Sequence, residues 1–270
     1  MQSTGARLEG KVAIVTGAGS SGPGVGTGKA ASLLFAQQGA SVVLVDRVAR
    51  HAEETLASIR EAGGEASVFE ADVTKTDDCR RMVEATLDRY GGLQVLFNNV
   101  GILGHGSVVD VNEEDWDRVL EVNLKSVMLT SKHAIPGMIR GGGGSIINVS
   151  STAGLRASSG STGVPYSASK GGVIALTTSM AVTHGRDNIR VNCIAPGSIY
   201  TPMVAGDMSE ERRDLRRRSA PLGTEGTAWG IAWAAVFLAS DESRWVSGVT
   251  LPVDAGLLAT TPLSMLPHLR

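Results

Sequence analysis

The alternation of short apolar runs, rich in β-branched residues, with longer helix-like segments is the feature that most constrains the fold. Seven of the runs are predicted to be strands: Val12–Thr16, Ser41–Val45, Ala66–Glu70, Gln94–Phe97, Ser145–Val149, Ile189–Ala195 and Val249–Val253. Helical patterning lies between them, at Gly28–Gln38, His51–Glu61, Asp77–Tyr90, Glu113–Ile139, Pro165–His184 and Glu225–Leu238. Strands that are apolar throughout and separated by helices are typical of a parallel sheet covered on both faces. We therefore predict an α/β protein with a doubly wound, seven-stranded parallel sheet.

Length and charge limit the organisation and the partners of the chain. A chain of 270 residues without a linker or repeat is expected to form one domain, 1–270. The polar segment at about 200–223 is predicted to be a lid beside the site, and about 257–270 to be a C-terminal tail. The net charge is −2, from 25 basic and 27 acidic residues, so nothing favours nucleic-acid binding.

The location of the protein is also constrained by its composition. Apolar runs are of strand length and fall short of the ~20 residues that cross a membrane. The segment MQSTGARLEG lacks the apolar centre of a signal peptide. Cys79 and Cys193 are far apart and form no C-x-x-C motif, which favours a reducing, cytoplasmic setting.

The turn after the first strand, within VTGAGSSGPGVGTGKAASLLFAQQGA, is unusually rich in glycine. Glycine permits positive φ and a close approach of ligand to backbone, and a helix N-terminus attracts phosphate. A nucleotide P-loop would need G-x-x-x-x-G-K-[ST], but position 23 is Pro and position 30 is Ala. The dinucleotide pattern G-x-G-x-x-G fits Gly17, Gly19 and Gly22, although a flexible surface turn is the simpler alternative.

The segment YSASK places Tyr166 and Lys170 four residues apart on a predicted helix, hence on one face. Such a pair alone is usually a solvated stripe, but beside a dinucleotide loop it suggests acid–base chemistry. Tyrosine has a pKa of ~10 and is a poor base at neutral pH. A positive charge ~5 Å away contributes ~3 kcal/mol, or about two pKa units, so Lys170 is predicted to lower the pKa of Tyr166 into a usable range.

Taken in order, these motifs resemble the short-chain dehydrogenase/reductase family, and the resemblance covers roughly Leu8 to Gly256. The family's T-G-x-x-x-G-x-G loop begins at Thr16-Gly17 and ends at Gly26-Thr27-Gly28, with extra residues within Ser20–Val25. We expect this insertion to bulge over the adenosine side and act as a small flap. The resemblance implies a single-domain Rossmann fold and a nicotinamide dinucleotide as cofactor.

The cofactor residues follow partly from position and partly from the resemblance. Asp46 ends the second strand in VVLVDR, where an acid bonds the adenosine ribose and repels a 2′-phosphate, so the cofactor is predicted to be NAD, with Arg47 alongside. The resemblance implies that Asp72 and Val73 of ADVT line the adenine, and that Asn99 and Gly101 of NNVG contact the cofactor. It further assigns contacts to the loop residues Gly17, Ser20, Gly26, Thr27 and Gly28, to Tyr166 and Lys170, and to Ile199 and Thr201 of PGSIYTPM at the carboxamide.

The resemblance also implies the catalytic set. Ser151 of NVSS, with Ser150 as the weaker candidate, would hold the substrate oxygen against the Tyr166 hydroxyl, although its spacing to Tyr166 is slightly longer than usual. Lys170 would bind the nicotinamide ribose. Asn123 of EVNLKS would open a local helix kink and hold a water that relays protons to Lys170.

Other signals are weaker. The histidines at positions 51, 105, 133, 184 and 268 have no metal-ligand spacing, so no metal is predicted, and there is no G-x-S-x-G hydrolase elbow. The basic run RRDLRRR, Arg212–Arg218, is either a solvated helix face or an attractor for an anionic substrate or the cofactor phosphates.

We predict an NAD-dependent oxidoreductase that interconverts a secondary alcohol and a ketone, with a cyclic or hydrophobic small molecule as substrate. Its pocket is expected within Leu103–Val108, Thr152–Val164 and Thr201–Gly223. A homotetramer is implied by the resemblance alone. Two alternatives stay open: a β-ketoacyl reductase acting on carrier-protein-linked substrates, which usually uses NADP, and a non-catalytic dinucleotide sensor on the same fold.

Overall fold

A seven-stranded, all-parallel sheet forms the centre of the computed structural model, which describes residues 6–20, 22, 24–157, 163–206, 208–261 and 263–269. The strands are β1 (Val12–Thr16), β2 (Ser41–Asp46), β3 (Ala66–Glu70), β4 (Val95–Asn98), β5 (Gly144–Val149), β6 (Ile189–Pro196) and β9 (Thr250–Val253). Their order across the sheet is β3-β2-β1-β4-β5-β6-β9. A separate two-stranded parallel pair, β7 (Ile199–Tyr200) and β8 (Gly226–Thr227), was not predicted. The predicted fold class is confirmed, with strand ends shifted by one residue at most.

Helices cover both faces of the sheet. They are α1 (Thr27–Gln37), α2 (Ala49–Glu61), α3 (Thr76–Tyr90), α4 (Glu113–Leu120), α5 (Ser126–Arg140), α6 (Val164–His184), α7 (Pro202–Ala205), α8 (Glu210–Arg218), α9 (Ala228–Ala239) and α10 (Leu266–Leu269). None of the helices in the described ranges is long and apolar enough to cross a membrane.

The core lies in two layers, one on each side of the sheet, because successive residues of a strand face opposite sides. On one side Ala13 and Val15 pack with α1, α2 and α9. On the other side Ile14 packs with α3, α5 and α6. Burial on both faces explains why the strands read as continuous apolar runs.

The strand order places a topological switch point at β1 and β4. The chain runs outward from β1 to β3 and then returns to pair β4 with the other side of β1. In open α/β sheets, ligands bind outside the carboxyl ends of the strands at such a point. The glycine-rich turn and the NNVG segment therefore meet at one crevice.

Two predicted segments differ from what the structure contains. The helix predicted over 113–139 is two helices, α4 and α5, joined by a π-helical turn at Glu121–Lys125. The predicted polar lid contains α7 and α8, and α8 is anchored on β7. The prediction of a single domain remains a prediction.

Candidate active site

One cavity of about 1240 Å³ runs across the carboxyl ends of the strands. Every predicted cofactor and catalytic residue except Asn123 lines it: Gly17, Ser20, Gly26, Thr27, Gly28, Asp46, Arg47, Asp72, Val73, Asn99, Gly101, Ser151, Tyr166, Lys170, Ile199 and Thr201. Segments distant in sequence are therefore brought to one crevice. Their roles as ligands remain predictions.

The glycine turn is built for close backbone packing. Gly17 has φ +64°, a conformation that side chains disfavour, and a Cβ on Gly28 would overlap the Gly17 carbonyl oxygen. Asn99 holds the turn from β4 by donating its Nδ2 to the carbonyl oxygens of Thr16 and Gly17, both at 3.2 Å. Helix α1 begins at Thr27 with Gly26 as its N-cap, in the register expected from the sequence. The N-terminus of α1 thus faces the crevice with room for a phosphate.

Gly22 and Gly24 of the insertion do not lie where the sequence suggested. A Cβ on Gly22 or Gly24 would be 3.7 Å or 3.6 Å from Pro202, so both glycines lie close to the start of α7. Ser20 donates its hydroxyl to the Gly24 carbonyl at 3.2 Å, and Gly24 reverses the chain with φ +105°. The expectation of a bulge over the adenosine side is therefore wrong for Gly22 and Gly24, because this turn directs them to the lid. Positions 21 and 23 lie outside the described residues.

Asp46, at the end of β2, organises the turn from the other side. Its Oδ2 accepts from the Gly19 N–H at 3.1 Å, and its Oδ1 accepts from the Val48 N–H at 3.0 Å. Arg47 and His51 line the cavity beside it. A carboxylate at this position repels a 2′-phosphate and accepts from ribose hydroxyls.

Asp72 and Val73 lie at the end of β3. Burial alone would raise the pKa of Asp72, but hydrogen bonds from the Thr74 N–H at 3.0 Å and the Thr74 hydroxyl at 2.7 Å lower it overall. Asp72 therefore fixes its own turn, and the buried Val73 supplies an apolar wall.

The predicted reactive pair, Ser151 and Tyr166, lies beside the end of β5. Ser151 follows β5, and Tyr166 lies in the first turn of α6, which reaches the end of β5. Burial raises the pKa of the Tyr166 hydroxyl, and a hydrogen bond with Ser151 lowers it by less. Ser150 instead donates its hydroxyl to the Lys170 carbonyl at 2.7 Å. Ser151 is thus the serine in contact with the tyrosine hydroxyl.

Lys170 is almost completely buried, with 3% of its surface exposed. Its Nζ donates to the Val149 carbonyl at 2.9 Å and lies 5.8 Å from the centre of the Tyr166 ring. Burial lowers the pKa of Lys170 to about 8. The expected lowering of the Tyr166 pKa is not found, because removal of the phenol from water outweighs the other effects on it.

Asn123 lies behind the cavity wall and is fully buried within the π-helical turn. Its Oδ1 accepts from the Ile102 N–H at 2.7 Å, and its Nδ2 donates to the Ile102 carbonyl and to Ser169 Oγ, both at 3.0 Å. A Cβ on Gly101 would lie 3.3 Å from Lys170 Nζ and 3.4 Å from Asn123 Oδ1. The lysine and the asparagine therefore converge at Gly101, and the predicted local kink is the π turn.

The backbone of Ile199 already has partners within the chain. Its N–H donates to the Gly197 carbonyl at 2.9 Å, and its carbonyl accepts from Arg216 at 3.3 Å. Thr201 is buried at the start of α7. The predicted contacts with the carboxamide would therefore come from the atoms of Ile199 and Thr201 that line the cavity.

Several residues of the site were not found by sequence reasoning. His51 lines the cavity from α2, and Ile102 and Ser169 hold Asn123. These contacts connect elements far apart in the chain, so no local pattern signals them. Arg156, Arg212 and Arg216 also line the cavity, and they lie in two of the segments predicted for the substrate pocket, Thr152–Val164 and Thr201–Gly223.

The geometry defines a class: an α/β protein with a dinucleotide crevice and a Ser-Tyr-Lys group at the carboxyl ends of its strands. Residues 23–258 match a family model described as "Enoyl-(Acyl carrier protein) reductase". The 3-oxoacyl-[acyl-carrier-protein] reductase FabG of Thermotoga maritima is 40% identical over 252 residues, which are 93% of this chain and 99% of that protein. The cyclohexanol dehydrogenase of Acinetobacter sp. is 36% identical over 249 residues, 92% of this chain and 95% of that protein.

Solved structures agree with the sequence relatives. The crystal structure of a Burkholderia xenovorans protein described as a short-chain dehydrogenase/reductase has a TM-score of 0.90 and 40% identity, and the match covers 95% of this chain and 99% of that one. The chain belongs to the short-chain dehydrogenase/reductase family. It is accordingly an oxidoreductase acting on CH–OH groups, in a family that binds a nicotinamide dinucleotide.

The residues present fit such a cofactor. The turn has no side chain where Gly17 and Gly28 approach one another, and the helix N-terminus beside it favours an anion. Asp46 offers a ribose acceptor at one end of the cavity, and Tyr166 with Lys170 occupies another part of its wall.

Proposed function

We propose that this enzyme interconverts a secondary alcohol and a ketone with NAD as its cofactor. The observation that carries the proposal is that Ser151, Tyr166 and Lys170 line one cavity together with the glycine turn. Bound NAD supplies the hydride acceptor for oxidation, and NADH the donor for reduction. The preference for NAD is supported by the Asp46 carboxylate, which lines the cavity without an arginine or lysine ion-pair partner within 4 Å among the described residues.

The side chains divide the proton chemistry between them. Ser151 donates to the substrate oxygen and holds it against the Tyr166 hydroxyl, which gives its proton to a ketone or takes one from an alcohol. Burial raises the pKa of Tyr166, so at neutral pH its hydroxyl is protonated and can donate a proton to the substrate. A positive nicotinamide ring nearby would favour the tyrosinate and so assist alcohol oxidation.

Lys170 and Asn123 support that pair. Lys170 is fixed by the Val149 carbonyl, and burial lowers its pKa to about 8, so it exchanges a proton readily near neutrality. Asn123 fixes the segment after β4 against α6 through Ile102 and Ser169. We propose that protons pass between the site and the solvent through Lys170 and a water held near Asn123.

The test is the change of Tyr166 to Phe, which removes only the transferable proton. We expect turnover of ketones such as cyclohexanone to fall by at least about 10³-fold, while the Kd for NADH changes by less than about threefold. Steady-state rates and fluorescence titration measure the two quantities. Activity within tenfold of wild type would contradict the assignment.

A second candidate is reduction of 3-oxoacyl thioesters on a carrier protein. It is favoured by the 40% identity with the Thermotoga maritima reductase and by the description of the matching family model. Asp46 argues against it if the donor is NADPH, since the carboxylate repels a 2′-phosphate. Comparing acetoacetyl thioester with NADPH against cyclohexanone with NADH separates the two candidates. Absence of any turnover would instead favour the sensor alternative.

We also propose that the protein is a homo-oligomer, with a tetramer as the form implied by the family resemblance. Helix α9, AWGIAWAAVFLA, has no charged side chain. One side of it packs on α1, yet Trp229 and Trp233 keep 37% and 47% of their surface exposed, and the nearby Trp245 keeps 97%. A helix that is apolar all round is normally covered on all sides. A reducing, cytoplasmic setting is proposed as well, supported by the free, buried thiols of Cys79 and Cys193.

A further inference from the structure

Helix α8 carries two kinds of arginine. Arg213, Arg217 and Arg218 are paired with carboxylates: Arg213 bonds Glu225, and the other two bond Asp214. Arg213 also lies over the Tyr200 ring, 4.0 Å from its centre. These three residues fix the helix to its surroundings.

Arg212 and Arg216 behave differently. They are four residues apart, so they share one face of α8, and both line the active-site cavity. Within the described part of the chain, neither forms a salt bridge within 4 Å. Burial lowers the pKa of Arg216, and the neighbouring charge of Arg212 lowers it further, while Glu225 acts weakly in the opposite direction. Two like charges four residues apart on a helix repel one another weakly, and an anion bound between them would remove this repulsion.

The charges that line the cavity are unevenly distributed. Among the described residues, its carboxylates are Asp46 and Asp72, which lie at the ends of β2 and β3 and hold their own turns through backbone N–H groups. The Ser151 side has Arg156 instead, which also has no salt-bridge partner within 4 Å in the described ranges. The lid half of the cavity is therefore cationic, without a carboxylate to neutralise it.

The position of Arg216 distinguishes between two possible anions. Its guanidinium donates to the Ile199 carbonyl, in the segment after β6, whereas the predicted pyrophosphate site is at Gly17 and Thr27. A planar guanidinium pair is well suited to a carboxylate. We infer that Arg212 and Arg216 form an anion subsite for the substrate, and that the natural substrate is a hydroxy or keto compound bearing a carboxylate. This inference rests on the proposed function, which supplies the reacting alcohol or ketone.

The test compares 4-oxocyclohexanecarboxylate with its methyl ester, which differs mainly in charge. In wild type at neutral pH, we expect kcat/KM for the acid to exceed that for the ester by at least about tenfold. In the double variant Arg212→Gln/Arg216→Gln this ratio should fall to near one. Arg212→Gln alone, at an exposed position, should give an intermediate ratio and guards against a folding defect. Arg217→Gln, on the same helix but paired with Asp214, is the matched control and should keep the wild-type ratio.

Two further measurements separate the possible failures. The Kd for NADH should change by less than about threefold in the double variant; a tenfold weaker Kd with an unchanged acid-to-ester ratio would assign the arginines to the cofactor phosphates and overturn the inference. If wild type reduces neither ketone, the proposed function fails for this substrate type. Calorimetry with cyclohexanecarboxylate then decides the subsite independently: binding that is lost in the double variant supports it, and equal or absent binding in both proteins overturns it.

Discussion

At the scale of single residues, the site contains polar and charged side chains that are buried away from water. Lys170 keeps only 3% of its surface exposed, and its ammonium is bonded to one strand carbonyl. Asn123 uses both of its side-chain atoms to hold neighbouring elements. Such residues cost folding stability and are retained because they position the reacting groups.

Replacing Lys170 with Met should stabilise the fold while removing activity. Burial lowers the folded pKa to about 8, whereas an unfolded lysine titrates near ~10.4, so a proton held at neutral pH costs roughly 3 kcal/mol. Lys170→Met removes this cost but also loses the hydrogen bond to the Val149 carbonyl, which offsets part of the gain. We expect the free energy of unfolding to rise by about 1–2 kcal/mol, or the Tm by a few degrees. The wild-type deficit is fully present below about pH 8 and disappears as the pH rises towards ~10.4. Thermal unfolding near pH 7 and about pH 9.5 should therefore show the gain shrinking.

The exposed Lys132 supplies the control for that experiment, since Lys132→Met removes a charge that water already solvates. A variant at Lys170 that is less stable than wild type near pH 7 would show that the ammonium is better satisfied than burial suggests.

Cofactor choice should depend on the charge of Asp46. In Asp46→Asn, the remaining oxygen accepts from one of the two backbone N–H groups and the other loses its acceptor, so the turn is weakened while repulsion of a 2′-phosphate is removed. We expect kcat/KM for NADP relative to NAD to rise by about tenfold, and Asp46→Ser to act in the same direction with a weaker hold on Gly19. Arg47, which lines the cavity beside Asp46, is then available to the phosphate. A wild-type enzyme that already prefers NADP would rule out this role.

At the scale of elements, the glycine loop is longer than α1 requires. A Cβ on Gly26 would lie 3.7 Å from both the Gly19 carbonyl and Ser20 Oγ, so the two ends of the insertion are close together. Between these ends, Gly22 and Gly24 lie close to the lid at Pro202. Val25, the last residue of the insertion, packs against the core, whereas Gly22 and Gly24 make their nearest approach to the lid.

A variant lacking residues 21–25 should keep its fold and its Tm within a few degrees, because Gly26 still caps α1. Its Kd for NADH should change, since ordering five residues costs ~1 kcal/mol or more each and any contacts they make are lost as well. Fluorescence titration and thermal unfolding test both statements. Pro202→Ala, which removes only the lid side of the contact, is the matched control. Failure of the deletion variant to fold, or an unchanged Kd, would contradict the flap hypothesis.

The elements were predictable to different degrees for physical reasons. The strands and α1 were predicted correctly because strands that are buried on both faces of the sheet have continuous apolar sequences, such as Val12–Thr16. The π turn around Asn123 was expected only through the family resemblance, because its hydrogen bonds go to Ile102 and Ser169, far away in sequence. The approach of Gly24 to Pro202 was missed for the same reason. The direction of the Tyr166 pKa shift was predicted wrongly, because a sequence motif does not show how deeply the hydroxyl is buried.

At the scale of the whole molecule, the described residues include an exposed apolar surface with three tryptophans. It consists of the outward side of α9 together with Trp245, and it lies on the opposite layer from α5 and α6. Large exposed aromatic side chains in a group usually mark an interface.

Placing a charge at Trp233, as in Trp233→Lys, should reduce the number of subunits in solution. Burying an unpaired ammonium in an interface costs several kcal/mol, enough to dissociate a contact of ordinary size. Light scattering coupled to size-exclusion chromatography measures the mass. Val109→Lys, at another exposed apolar residue, is the control and should leave the mass unchanged. A wild-type protein that is already monomeric would remove the basis for the proposal.

The proximity of Gly22 and Gly24 to Pro202 has a consequence for chimaeras built from this protein and its relatives. Position 24 accepts little besides glycine, because its φ is +105°. A lid transplanted from a relative with a shorter loop would leave Gly22 and Gly24 without their neighbour, whereas a shortened loop would leave Pro202 uncovered. Chimaeras intended to change the substrate should therefore exchange residues 20–26 and 201–223 as a single unit.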